Sequence, residues 1–100
     1  MRSLISVSDA CEMAVSHMAG LIHADPSEGK WIIDECRLAA FFHDSSWYPE
    51  GMNFAFNGDV PLVYRAVVLY KSPGRLSKQE VRMIISVDAE TGAFRGYQPA

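Results

Sequence analysis

Only one stretch of this chain clearly repeats its apolar residues at helical spacing, and much of the chain beyond it alternates, so a single helix has to be matched to a sheet. Residues 9–22 set Ala10, Met13, Ala14, His17, Met18, Leu21 and Ile22 along one stripe that must face a core. Ser8 or Asp9 is placed to cap this helix, Asp9-Ala10-Cys11-Glu12 has capping-box spacing, and Val7 sits where a hydrophobic staple would. The acids near that end also suit the helix dipole. Gly20 weakens the last turn, and Asp25-Pro26 ends it.

The strands read from their period of two. Val63 to Lys71 is a long strand with Tyr64, Ala66, Val68 and Tyr70 on one side and Val67 and Leu69 on the other. After the turn cluster Lys71-Ser72-Pro73-Gly74-Arg75, Val81, Met83, Ile85 and Val87 alternate with Arg82, Ile84, Ser86 and Asp88. Ser77-Lys78-Gln79-Glu80 also has capping-box spacing, but the β-branched run Ile84-Ile85-Ser86-Val87 favours a hairpin with a polar loop. Asp88 to Gly92 is a further turn, and Phe94 to Tyr97 a last short strand. Met52, Phe54 and Phe56 alternate with Asn53, Ala55 and Asn57 ahead of an Asn57-Gly58-Asp59 turn.

Residues 31–43 admit two readings. As a strand they set Trp31, Ile33 and Glu35 against Ile32, Asp34 and Cys36; as a helix they align Ile32, Cys36, Ala39, Ala40 and His43. The strand is preferred, because Trp31-Ile32-Ile33 opens the segment and aromatics close it. The expectation is thus one α+β domain over residues 1–100, with an N-terminal helix packed on a three- to five-stranded antiparallel sheet. One helix covers one sheet face. Bulky residues on both sides of the central strand therefore predict a partner, or a homodimer, at the second face.

A chain of 100 residues, 49% hydrophobic and 21% charged, can bury one core without disulfides or metal. It has no run approaching the ~18 apolar residues that a spanning helix requires and no signal-like start, so the expected location is cytoplasmic. Cys11 and Cys36 belong to no C-x-x-C pair, and in that compartment they are expected to pack as small buried apolar groups. Charge is uneven: residues 1–60 hold nine acids and three bases, residues 61–100 six bases and three acids. Either the two parts neutralise each other across the fold, which is preferred, or they form opposite faces that suit a basic partner or self-association.

The segment Tyr64-Arg65-Ala66-Val67-Val68-Leu69-Tyr70, a hairpin, and Ile85-Ser86-Val87-Asp88-Ala89-Glu90-Thr91-Gly92-Ala93-Phe94 resembles the ending of PepSY-like domains, where a strand runs into V-D-x-x-T-G. Small immunity proteins of bacterial toxin systems, including cystatin-like and nuclear-transport-factor-like folds, end similarly and share the order of helix then strands. The resemblance covers the C-terminal third and implies a fold more than an activity. The turn chemistry alone accounts for the motif: aspartate and threonine bond local backbone, and glycine supplies the positive φ.

Catalytic and metal signatures are not found. His17, His23 and His43 fit no ligand spacing, and His17 on an apolar stripe is read as a packed residue with one nitrogen satisfied. Cys11 near a helix start has no base on its own face. Asp34, Glu35, His43 and Asp44 are read as solvated strand-end groups rather than an acid–base set. No cofactor loop is present, and scattered bases on a net charge of −3 disfavour nucleic acid. Trp47 and Tyr48 beside Pro49, in a polar stretch with Asp44 and Glu50, either anchor a protein partner or fold back over the sheet's open end.

These readings point to a non-enzymatic interaction protein, such as an immunity protein or small inhibitor, binding through Trp47, Tyr48, Asp44 and Glu50. The alternatives are a self-associating regulatory module, or a ligand-binding protein or enzyme with a cone-shaped pocket near Asp34, His43 and the strand tyrosines.

Overall fold

The computed structural model describes residues 3–40, 62–74 and 79–100. Among these residues are one helix, α1 (Val7–Ile22), and four strands, β1 (Lys30–Ala40), β2 (Leu62–Lys71), β3 (Glu80–Asp88) and β4 (Phe94–Pro99). The strands form one antiparallel sheet in the order β1-β2-β3-β4, giving an α+β fold with an open sheet. The alternating segment at residues 52–56 and the aromatics expected to close the 31–43 strand lie outside the described residues.

The helix begins earlier than its stripe suggests. Ser6, extended at φ −70° and ψ 156°, is the N-cap, and its hydroxyl accepts the Asp9 N–H at 3.0 Å, so neither Ser8 nor Asp9 caps. Val7 then opens the helix on the solvent side, and half-buried Ile5 packs on the core in its place. At the other end His23 adopts the left-handed conformation at φ 56°, and its N–H returns to the Ala19 carbonyl.

Strand β2 alternates as expected: Tyr64, Ala66, Val68 and Tyr70 face α1, joined by Ile85 and Val87 of β3. Ala10, Ala14 and Met18 of α1 close this core with no solvent exposure. Each large side chain here contributes roughly 1.5–3 kcal/mol through burial. The Tyr64 hydroxyl donates to the Ile5 carbonyl at 2.8 Å, so the ring's polar end is satisfied without leaving the core.

The two outer strands do not alternate throughout. On β1 the pairing slips between Ile33, opposite Val68, and Glu35, opposite Val67, leaving Asp34 as an extra residue. Parity changes there, so Trp31, Ile33 and Cys36 all face α1, while Ile32, Glu35 and Arg37 face away. The expected grouping of Glu35 with Trp31 and Ile33 is therefore corrected. On β4 the slip falls between Phe94, opposite Val87, and Gly96, opposite Ser86, leaving Arg95 as the extra residue. Phe94 and Tyr97, three positions apart, thereby share the helix side.

The turn from β3 to β4 explains the V-D-x-x-T-G pattern locally. Asp88 Oδ1 accepts the Glu90 and Thr91 N–H groups at 2.8 and 3.0 Å, Thr91 Oγ1 accepts the Ala93 N–H at 3.2 Å, and Gly92 holds φ 77°. Gly92 also lies against Met13, where a side chain would have to displace the thioether.

Candidate functional site

Trp47, Tyr48, Asp44 and Glu50, the residues assigned to partner binding, lie outside the described residues, as does His43. Of the groups expected around a pocket, His43 lies outside the described residues, and Asp34 and the strand tyrosines lie on opposite faces of the sheet. Tyr64 and Tyr70 point into the core beneath α1, whereas Asp34 turns to the opposite face and pairs with Arg82 at 3.1 Å. Alternation from Trp31 and Ile33 already puts Asp34 on that face, and the bulge changes the side only of the residues after it.

The second face of the sheet is the candidate surface that the described residues define. Its rows are Ile32, Glu35 and Arg37 on β1, Arg65, Val67 and Leu69 on β2 beside the fully buried Val63, Arg82, Ile84 and Ser86 on β3, and Gln98 on β4. Among the described residues no helix or strand lies over it. Ile32, Val67, Leu69 and Ile84 are half-buried in the middle of this face.

Long polar side chains bridge across its strands. Arg82 of β3 reaches Asp34 of β1 over the width of β2, and Arg65 of β2 donates to Gln98 Oε1 of β4 at 3.0 Å over the width of β3. Burial lowers the Arg65 pKa from its ordinary value. Arg37, opposite Arg65 in register, pairs with Glu35 instead. The charges are thus matched in place, and the surface offers apolar area framed by arginine–acid pairs. Asp34–Arg82 joins the acidic part of the chain to the basic part, while Arg37–Glu35, Lys71–Glu80 and Arg95–Asp88 stay within their own parts.

Two features of the helix side escape a reading by alternation. Phe94 and Tyr97 lie on the β4 edge at 40% and 53% exposure, with ring centroids 6.4 Å apart, and Phe94 meets the His17 ring at 5.5 Å. His17 Nε2 is 2.9 Å from the Gly92 carbonyl, to which it donates, so this histidine is a packed residue with one nitrogen satisfied. The second feature is the meeting of Cys11 and Cys36 between α1 and β1, where burial and the Cys11 thiol push the Cys36 pKa up to about 11. Both are free thiols and neither is fully buried, which corrects the expectation of two buried apolar groups.

An open cleft of ≈ 460 Å³ lies at the end of the sheet between Gly29, Lys30, Lys71, Ser72, Gln79 and Glu80. Its Ser72 hydroxyl accepts the Gln79 N–H at 2.9 Å, and among the described residues no histidine or cysteine lines it. Among the described residues no three His, Cys, Asp or Glu side chains gather as a metal site would need. No described helix is long and apolar enough to cross a membrane. Comparison with family models, curated proteins and solved structures finds no match for this chain.

Proposed function

We propose that this chain is a non-enzymatic interaction module that binds another protein. The observation carrying this reading is the second sheet face, where Ile32, Val67, Leu69 and Ile84 form an apolar centre framed by ion-paired arginines. Aliphatic area inside a polar frame is the usual anatomy of a protein-binding patch. The likeness of the C-terminal third to PepSY-like and cystatin-like domains belongs to the same proposal, and it fits an immunity protein or small inhibitor. In that form the Trp47-Tyr48 stretch, with Asp44 and Glu50, supplies the anchors for a partner, and the acidic N-terminal part favours a basic one.

Self-association through the same face is the second reading, favoured because an antiparallel sheet whose described helix covers one face can pair through the other. Size-exclusion chromatography with light scattering, combined with tryptophan quenching, separates the two. A monomer whose tryptophan is readily quenched supports binding to a different protein. A dimer that Val67→Lys dissociates supports self-association. A monomer with shielded tryptophan that cross-links to no protein in its own cell extract would sink both.

A further inference from the structure

Helix and strand register bring the chain's two cysteines to one interface. On α1, Met13 and His17 reach the β3–β4 turn at Gly92. At about 100° per residue, Cys11 lies roughly 160° around the helix from Met13, on the flank that looks toward β1. Val15 and Ile22 share that flank and are half-buried against the core. On β1, the bulge at Asp34 brings Cys36 to the helix side, opposite Ala66, which is fully buried. Strand and helix approach each other directly, and the Cys11 thiol is close enough to Cys36 to act on its thiol.

We infer that Cys11 and Cys36 are a convertible dithiol, closed by a small disulfide oxidant such as glutathione disulfide into one bond that staples α1 to β1. The Cys11 thiolate attacks one sulfur of glutathione disulfide, whose S–S bond breaks, and the glutathione thiolate that leaves takes up the Cys11 proton. Cys36, on losing its own proton, attacks Cys11 Sγ and expels the second glutathione, which takes that proton. Two electrons pass from the protein dithiol to the oxidant, leaving one protein disulfide and two glutathione thiols.

The surroundings set the order of attack. Burial and the Cys11 thiol together hold Cys36 protonated, which makes Cys36 the poorer first nucleophile. Capping Cys11 removes that thiol's share, so the resolving attack is released by the first one. The bond closes the loop from residue 11 to residue 36 and constrains the unfolded chain, raising Tm by on the order of 10 °C.

The test uses the folded full chain in glutathione buffers, followed by alkylation and tryptic mapping. Both thiols are expected to disappear together in a monomer, with peptides 3–30 and 31–37 joined and Tm raised. Stable glutathione adducts on either cysteine without closure, or a bond that forms only in denaturant, would overturn the inference. Cys11→Ser and Cys36→Ser should each abolish the oxidant-induced rise in Tm, and a full rise in either would also overturn it. The mapping on the unsubstituted chain stands whether or not the variants fold.

Discussion

At the β1 edge of the sheet the extra residue is Asp34, whose carboxylate reaches Arg82 of β3; at the β4 edge it is Arg95, whose guanidinium reaches Asp88 of β3. In both bulges a charged side chain lies toward the second face, and a later residue, Cys36 or Tyr97, comes round to the helix side. They differ in how firmly they are held. Both partners of Asp34–Arg82 are well exposed, whereas the Asp88 side chain is 8% exposed and also accepts two backbone N–H groups. A fixed turn secures the β4 edge, while side-chain packing secures the β1 edge.

That contrast is open to measurement, beginning with the largest effect. Asp88→Ala leaves the Glu90 and Thr91 N–H groups and Arg95 without their acceptor and should cost about 2–3 kcal/mol in denaturant unfolding. A loss under about 0.5 kcal/mol would mean that the turn is not what secures this edge. Trp31→Ala at the other edge removes the ring centred 4.4 Å from Tyr70 and the bond from Nε1 to the Glu28 carbonyl. It should cost about 2 kcal/mol, against about 1 kcal/mol for Phe94→Ala, and the reverse order would contradict the division between packing and turn.

Acid and alkali should strain different edges. Burial pulls the Asp88 carboxyl upward, but hydrogen bonds from Arg95, Glu90 and Thr91 outweigh it and hold its pKa below the ordinary value. Its contribution is therefore complete above the unfolded pKa of about 3.9 and lost as pH falls through the lower folded value. Cys36 is shifted the opposite way, from 9.0 to about 11, so the reduced protein should lose stability as pH rises between those values. Asp88→Asn should flatten the acid limb and Cys36→Ser the alkaline limb of Tm against pH.

The smallest effects test the bulges themselves. Asp34→Ala should cost about 0.5 kcal/mol, since exposed ion pairs contribute little. Deleting Asp34 should cost about 1 kcal/mol or less, because Ile33 then meets Glu35 in regular pleat and every other side chain keeps its face. A deletion that unfolds the chain would show that the bulge is needed for more than register.

The same contrast explains what can be read from sequence. Strands β2 and β3 are legible because their pleat is regular from Val63 to Val87, apart from the hairpin, and each apolar residue keeps its parity. The helix is legible in its stripe but not in its start, since Ser6, Ser8 and Asp9 all suit a cap and only the Asp9 N–H decides among them. Strand β1 is misread in its faces, because one extra residue leaves no mark in composition and inverts everything beyond it. For that reason Cys36, 25 positions from Cys11, gives no sign of meeting it. Asp34 and the strand tyrosines lie on opposite faces by simple alternation, while His43 and the Trp47-Tyr48 site fall outside the described residues.

The assignment of faces underlies both the binding surface and the dithiol, and nuclear Overhauser spectroscopy of the isotope-labelled full chain measures it directly. Contacts are expected from Cys36 to Cys11 of the helix, and from Ile32 and Glu35 to Leu69 and Val67 with none to α1. Contacts from Glu35 to the helix, with Cys36 on the open face, would contradict that assignment.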